Sequence, residues 1–506
     1  MATAVLWSRK KPRFREAFQV PGVGIEPTLL AEREFESRAS TNSATRASRQ
    51  GRRKCKSVLF VHHGSTRLSF EVMSEKRVLI VTYYWPPSGG AGVQRWLKFA
   101  KYLPKHNWAP VVYVPEGAHY PALDPGLQSD VSPDTEVWRG PIFEPASWLD
   151  ALKLGRSQNR FGSSSSPSRK NKSGGFVQWV RGNVFIPDAR MFWIRPSIRR
   201  LTKRLAEAPV DAIVSTGPPH STHLIALGLK QAFPDIPWVA DFRDPWSDMD
   251  YLDDFNLTAR SRAQHKAMER KVVEHADRVV VTAPSAAVSI LGRPLQDNDS
   301  KGVWIPNGYD AADGFDLEDA PEDGPFMLGF FGSLYGSRNA PGLWRAIRDH
   351  NARPETTRPL HLVLYGALDP AIRAELERTL PSDAWRFAGS VSHDAVPQAM
   401  SPCHALVILQ NNNETGRRTI PGKAFEYLAT GRPLIAGGAL DSDLERLLGS
   451  WGFDLCGMED DKGFAHQIQQ ALAGRTGHAS PERFQREALA HEYSELLHTL
   501  KPQTTH

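Results

Sequence analysis

An α/β fold of two doubly wound parallel sheets is what this sequence predicts, and three observations predict it. A unit of short apolar strand, glycine- or proline-rich turn and amphipathic helix recurs: RVLIVTYYW, PPSGGAGV and QRWLKFAKYL from Arg77, DAIVSTGPPHSTHLIALGLKQAF from Asp211, and FMLGFFGSLYGSRNAPGLWRAI from Phe326. Strands alternating with helices in this way build parallel sheets covered on both faces. Residues 313–325, rich in Asp, Glu, Pro and Gly, separate the third unit from the first two and suit a linker. The length of 506 residues accommodates two or three domains with sizeable cores.

Charge narrows the function. The net charge of +6 is concentrated at the start: residues 1–72 hold 14 Lys and Arg against 6 Asp and Glu, leaving 48 against 50 in the rest. The body is not basic, so nucleic acid is not an expected partner. Cys55, Cys403 and Cys456 show no CxxC spacing, which suggests neither a disulfide framework nor a zinc site and fits a reducing cytoplasm. No apolar run approaches the roughly 18 residues needed to span a bilayer, and the first residues lack the apolar core of a signal peptide, so membrane contact is expected to be peripheral. Residues 1–75 show no sustained period and read as a disordered basic leader. They are similar to what appears when a transfer-RNA gene is translated, which leads to the expectation that synthesis starts at Met73.

Taken in order, the first strand leads into a turn containing Gly89 and Gly90, where amides unshielded by Cβ atoms form a candidate phosphate cradle or merely a tight turn. The next helix gathers Trp96, Phe99, Ala100 and Leu103 on one face. APVVYVPE is a second strand, after which the chain reads as loop, with a low-complexity excursion at residues 157–175. The following segment mixes Trp179, Phe185, Phe192 and Trp193 with seven basic residues between Arg181 and Arg204. Its helical part sets Ile194, Ile198, Leu201 and Leu205 opposite the charges, a pattern that suits either a helix lying on an anionic membrane or one packing on the sheet.

His220 and His223 stand three apart at the start of a helix without a carboxylate or Cys at ligand spacing, so substrate hydrogen bonding or helix capping is favoured over metal. In WVADFRDPWSD, Asp241, Arg243 and Asp244 crowd the C-terminal edge of a strand, where doubly wound sheets place ligands; an Asp–Arg pair pinning the loop is the structural alternative. The triplets Asp248-Met-Asp250 and Asp441-Ser-Asp443 match metal-binding patterns known elsewhere, without context to support that here. ARSRAQHKAMERKVVEHADRVVVTAPS reads as a long helix and a strand. In the second half, LHLVLYGA is a strand, Ala388 to His393 a short strand and turn, and VPQAMSPCHALVILQ a helix and strand. TIPGKAFEYLATGRPLIA then reads as a Pro-Gly turn, a helix with Phe425, Leu428 and Ala429 on its apolar side, a stop at Gly431 and a buried strand. Free amides at this helix start, its dipole and Lys423 suit a phosphate, and Glu426, one turn on, suits a pair of hydroxyls.

This last string resembles the donor-site helix of glycosyltransferase family 4 and its relatives, whose GT-B fold sets two Rossmann-like domains facing across a cleft. TYYWPPSGGAGVQRWLKFAKYL resembles the opening of such transferases, DFRDPW the segment that puts a His or Asp against the sugar, and WIPNGYD the hinge turn; five such motifs fall in order over residues 76–500. The resemblance implies an acceptor domain at 76–310, a linker at 311–325, a nucleotide-sugar domain at 326–480 and a final helix, 481–506, crossing back to the first domain. Two departures stand out. Arg418 occupies the position of the first Glu of the family's E-x7-E, and Ser333 and Arg338 stand where an Arg and a Lys are usual after Gly332.

The resemblance implies a retaining glycosyltransferase that moves sugar from a nucleotide sugar to a lipid-linked or polysaccharide acceptor at the cytoplasmic face of a membrane. No metal or other cofactor is implied. The donor would be held by Gly89, Gly90, Gly332, Ser333, Arg338, Arg418, Ile420, Gly422, Lys423 and Glu426, with Glu426 on the ribose and Arg417 and Arg418 making good the charge missing at Ser333. Asp241, Arg243, Asp244 and His220 would serve the reacting centre. A sugar-nucleotide epimerase and a non-catalytic binding module are the alternatives on the same fold.

Overall fold

The structure, a computed structural model, describes residues 75–120, 122–144, 172–477 and 481–500. The expectations for the leader, for Cys55 and for residues 157–171 of the low-complexity stretch lie outside these.

Twelve strands fall into two all-parallel sheets among the described residues. The first comprises β1 (Lys76–Val81), β2 (Trp108–Glu116), β3 (Glu136–Pro141), β4 (Ala212–Gly217), β5 (Trp238–Phe242), β6 (Arg278–Val281) and β7 (Gly302–Trp304), in the order β3-β2-β1-β4-β5-β6-β7. The second comprises β8 (Phe326–Phe331), β9 (Leu360–Tyr365), β10 (Trp385–Gly389), β11 (Ala405–Leu409) and β12 (Leu434–Gly437), in the order β10-β9-β8-β11-β12. Each order reverses beside its first strand, between β1 and β4 and between β8 and β11. Such a switch point opens a crevice at the carboxyl ends of the strands. The central strands are continuous apolar runs because helices cover both faces: all six residues of β4 and all five of β11 are buried.

The covering helices of the first lobe are α1 (Ala91–Tyr102), α2 (Lys172–Asn183), α3 (Met191–Glu207), α4 (Ser221–Ala232), α5 (Ala259–His275) and α6 (Ala286–Leu291). Those of the second are α7 (Pro341–Asn351), α8 (Pro370–Thr379), α9 (Val396–Met400), α10 (Glu414–Arg417), α11 (Gly422–Ala429), α12 (Asp443–Ser450) and α13 (Asp461–Leu472). The last helix, α14 (Arg486–Thr499), returns to the first lobe and packs on α1, where Tyr493 meets Trp96 edge to face at 5.1 Å.

Several sequence expectations need correction. EVWRGP, read as loop, is edge strand β3; its outward Glu136 and Arg139 hide the apolar alternation. The strand expected at Ala388 to His393 lies earlier, at Trp385–Gly389, and residues 172–175 begin α2 rather than ending a low-complexity excursion. In α3 the buried line is Trp193, Ser197, Leu201 and Leu205, with Ile194 and Ile198 at its flank. Trp193 stacks on Tyr113 at 5.4 Å, and Ser197 accepts the Tyr113 hydroxyl at 2.8 Å. The buried line of α3 is therefore part of the first lobe's core.

Buried cations on α1 anchor the passage between lobes. Arg95 donates to the carbonyls of Ile305 and Pro306 at 3.0 and 2.7 Å. One turn on, Lys98 reaches Asp130 and Asp310 at 2.9 Å and Asp313 at 2.6 Å. Tyr102 donates to Asp310 at 2.6 Å. The beginning of the expected linker, residues 311–313, is thus tied to the first lobe.

Burial alone would raise the Asp310 carboxyl, but bonds from Tyr102 and Lys98 outweigh it and hold it at about 2. Against about 3.9 for an unfolded aspartate, the depressed value is worth about 2 kcal/mol of stability. That contribution is complete above the unfolded value and is lost as pH falls through 2. Asp310→Asn is expected to lose about 2 kcal/mol at pH 7 and to flatten the pH dependence of urea unfolding between pH 4 and 2.

Candidate donor and acceptor cleft

In the second lobe, the switch-point loops after β8 and β11 are stitched together. Asn411 Oδ1 accepts from Arg338 Nε at 2.8 Å and from Ser337 Oγ at 3.2 Å, and the Asn412 amide donates to the Ser337 carbonyl at 2.9 Å. Arg338 also donates to the Ser333 carbonyl at 3.2 Å. Gly332 adopts φ 142°, and a Cβ there would strike the Lys423 ammonium, so only glycine allows this approach. Lys423 donates to the Phe331 carbonyl at 2.6 Å and lies 4.8 Å over the Phe330 ring. Burial pushes its ammonium down to about 7, with Arg338 adding to the effect. Two cations thus crowd a site containing the start of α11, whose N-cap, Pro421, offers no side-chain acceptor. A diphosphate is the kind of ligand that relieves this repulsion.

Glu426, one turn into α11, keeps partial access to solvent although protein surrounds it, as at the bottom of a cleft. No side chain among the described residues hydrogen-bonds it. Burial raises its carboxyl, while His393, Arg486 and Lys423 act in the opposite direction. The neighbouring Tyr427 is wholly buried and its hydroxyl accepts from the Phe331 amide at 3.1 Å, locking α11 to the end of β8. Ile420 belongs to the core, leaving only its backbone for a ligand.

The four residues expected at the reacting centre separate. Asp241 is wholly buried and its oxygens take Arg95 at 2.9 to 3.2 Å and the Trp96 indole at 2.6 Å. Its structural partner is Arg95 rather than Arg243. Arg243 instead donates to the carbonyls of Gly92, at 2.5 Å, Gly217, at 3.3 Å, and Pro218. It therefore clamps the loops after β1 and β4 together. Asp244 has no hydrogen-bond partner among the described residues and keeps partial access; burial raises its carboxyl, against the pull of Arg243. Of the four, it is the acid free to meet a ligand.

His220 corrects the capping expectation. The start of α4 is capped by Asp188, which accepts the Ser221 amide at 2.9 Å and hydroxyl at 2.6 Å. The His220 ring lies buried against Trp246 at 4.6 Å, both nitrogens without protein partners, and burial drives it well below the usual histidine range. His223 is held by Ser215 at 2.8 Å. In the first glycine turn, the Gly89 amide donates to the Ala122 carbonyl at 2.9 Å and so offers no phosphate contact, whereas Gly90, at φ 89°, is exposed at the start of α1.

The acidic triplets join the lobes. Asp250 accepts from Asn413 at 2.8 Å, and Asp248 lies 3.7 Å from Arg418. Asp443 accepts the amide and hydroxyl of Ser285, both at 2.8 Å, capping α6 from the other lobe. Among the described residues no group of three or more His, Cys, Asp or Glu is arranged to hold a metal ion. Arg418 also donates to Ser289 at 2.5 Å, while Arg417 is exposed and pairs with Glu414 at 3.0 Å. Both arginines thus have partners of their own. Sequence reasoning missed Asn411, Arg486 and His393. Asn411 was recoverable, because QNNNETG directly follows a buried strand at a switch point; the other two lie far from Glu426 in sequence.

Comparisons with known proteins agree with the fold. Residues 162–308 match the glycosyl transferase 4-like domain. No protein of curated function matches the sequence significantly. Among solved structures the chain is similar to trehalose-6-phosphate synthase OtsA, at TM-score 0.53 and 11% identity over 85% of this chain and 100% of that one. It is similar to sucrose-phosphate synthase from Thermosynechococcus elongatus, at 0.50 and 13% over 83% and 94%. It is also similar to the apo form of the lipopolysaccharide outer core galactosyltransferase WaaB, at 0.50 and 12% over 84% and 99%. At such identities the structures speak for the fold, two Rossmann-like domains in the GT-B arrangement.

Asp241 provides a direct test of the division of roles. Asp241→Asn leaves Arg95 as a buried charge without its counter-ion and is expected to cost about 3 to 5 kcal/mol in chemical denaturation. A catalytic Asp241 would instead give a variant of undiminished stability that has lost turnover.

Proposed function

We propose that this chain, a glycosyltransferase of the GT-B fold with a glycosyl transferase 4-like domain at residues 162–308, moves a sugar from a nucleotide sugar to a lipid-linked or polysaccharide acceptor, retaining configuration and without a metal. One observation carries the reading of the donor half. Lys423 and Arg338 crowd the uncapped start of α11 while Glu426 stands one turn further along the same helix. In that assignment the diphosphate takes the two cations and the amides near Gly422, and Glu426 accepts the ribose hydroxyls. As the bond to the anomeric carbon breaks, negative charge grows on the diphosphate, and fixed cations in a dry cleft lower that barrier by several kcal/mol. Asp244, raised by burial and unpartnered, is the group assigned to the acceptor hydroxyl, a role for which an elevated carboxyl is suited. Arg243 acts at one remove, setting the loops on which the acceptor rests.

For the acceptor, an exposed aromatic patch on the first lobe supports a membrane-bound substrate at the cytoplasmic face. Phe143 and Phe192 are 55% and 43% exposed, with rings 5.7 Å apart, and Val184 is 53% exposed nearby in the chain. Arg195, Arg199 and Arg200 on α3 add exposed positive charge. No helix among the described residues is long and apolar enough to cross a membrane. Retention and metal independence are carried over from the family 4 resemblance.

A thermal-shift screen of nucleotide sugars tests the donor site. The right donor, at about 100 times its dissociation constant, adds about 2.7 kcal/mol of stability, and Glu426→Ala loses most of it. Slow release of nucleoside diphosphate without acceptor would accompany binding by a transferase; binding of no nucleotide sugar at all would leave the fold as a non-catalytic module.

Binding is also expected to depend on pH with a definite sign. Lys423, at about 7 in the empty cleft, is largely neutral at pH 8 and must take up a proton to meet a diphosphate. Affinity should therefore fall as pH rises above 7, by up to about tenfold per pH unit, with proton uptake visible as a buffer-dependent enthalpy; Lys423→Arg should flatten the profile.

A further inference from the structure

Arg486 is a buried cation without a partner. It is the first residue of α14, the helix that carries the chain back to the first lobe, and it is only 6% exposed. Its guanidinium makes no hydrogen bond or ion pair among the described residues, and Nη1 is fully enclosed. Arg95 on α1 shows what burial of a guanidinium ordinarily requires: Asp241 and two hinge carbonyls take its donors. The place of Arg486 is fixed from two sides. Its amide donates to the Tyr309 carbonyl at 2.8 Å, and the Tyr309 amide donates to the Phe484 carbonyl at 3.1 Å, so the start of α14 is stitched to the hinge turn. Gly308 permits this approach, since a Cβ there would strike the Phe484 carbonyl. Phe484 in turn packs on Phe425 of α11, ring centroids 5.0 Å apart, and on Trp451 at 5.4 Å. Hinge, returning helix and α11 therefore converge around Arg486.

The surroundings add positive potential and offer no acceptor. Gln485, the N-cap of α14, presents no side-chain acceptor to the first amides of the helix, whose dipole is positive at this end. The acids nearby are committed elsewhere: Asp310 accepts from Tyr102 and Lys98, and Asp313 from Lys98 and His393. Burial, with Arg95 adding to it, pushes the Arg486 guanidinium down to about 10, against the pull of Glu426, Asp310 and Asp313, none of which it hydrogen-bonds. An enclosed guanidinium is costly until an anion meets it, and its planar fork of donors matches the oxygens of a phosphoryl group. We infer that Arg486 anchors an oxyanion site at the start of α14, taking a phosphoryl group of a substrate where the returning helix meets the hinge. The site is additional to the donor contacts assigned to the start of α11 and requires neither Lys423 nor Glu426. Two sources carry the same chemistry: the diphosphate of the donor, or a phosphate on the acceptor.

Urea unfolding and calorimetry on the full chain test it, with inorganic phosphate and pyrophosphate as probes and sodium chloride at matched ionic strength as the control. In chloride, Arg486→Met should unfold at the same urea concentration as the unaltered chain or a higher one, because it removes a buried charge that lacks a counter-ion. Phosphate or pyrophosphate should stabilise the unaltered chain beyond chloride and bind Arg486→Met at least about tenfold more weakly. Arg486→Gln, uncharged and polar, repeats the binding measurement without relying on the folding of the Met variant. Equal binding of both anions by these variants and the unaltered chain overturns the inference, and so does an unaltered chain that neither anion stabilises beyond chloride. Lys423→Met separates the two sources. If the group is the donor's diphosphate, Lys423→Met and Arg486→Met each weaken whichever of UDP, ADP and GDP the chain binds, and their effects do not add. If it belongs to the acceptor, Lys423→Met alone weakens the nucleoside diphosphate, and inorganic phosphate still depends on Arg486. Failure of all three nucleoside diphosphates to bind the unaltered chain overturns the donor-site reading, while the inorganic probes decide this inference by themselves.

Discussion

A single face of α1 holds the two lobes in register. Arg95, Lys98 and Tyr102 recur at helical spacing, and each buries its polar end against the segment that leaves the first sheet: Arg95 on the carbonyls of Ile305 and Pro306, Lys98 on Asp310 and Asp313, Tyr102 on Asp310. Buried cations tolerate such positions only when every donor is matched, and here carbonyls and carboxylates from β5, the hinge and the joining segment do so. The hinge is consequently a preorganised feature, with the return of α14 onto the same helix closing the arrangement.

The cleft follows from that registration. With the passage fixed, the carboxyl edges of the two sheets meet at Asp250 with Asn413, at Ser289 with Arg418, and at Ser285 with Asp443. On the same edges Lys423 feels the repulsion of Arg338, and neither Glu426 nor Asp244 has a hydrogen-bond partner among the described residues. Partnering separates the two acids of one segment: Asp241 is held by Arg95 and Trp96, whereas Asp244, three residues on, has no hydrogen-bond partner among the described residues.

Helix α11, the glycine at 332 and both sheets were legible because their signals are local: a Pro-Gly start, an apolar face at 3.6 spacing, and uninterrupted aliphatic strands. Edge strand β3 was not, since half its residues face solvent and carry charge. The amphipathic pattern of α3 was read correctly as two-faced but left its partner open; Tyr113 and the sheet decide it. Asp241, Arg243 and Asp244 were equivalent on paper, yet the structure buries the first against Arg95, turns the second onto loop carbonyls and leaves the third partly accessible.

Periodicity and turn residues determined, from the sequence alone, that this chain folds as paired doubly wound sheets, and the resemblance of its motifs to glycosyltransferase family 4 pointed to transfer of sugar. Tertiary structure alone decided which charged groups are spent on the fold and which remain for a ligand. The reason is that a side chain's availability depends on partners distant in the chain: Arg95 for Asp241 across 146 residues, Ser289 for Arg418 across 129, Asp313 for His393 across 80. No local pattern records those separations.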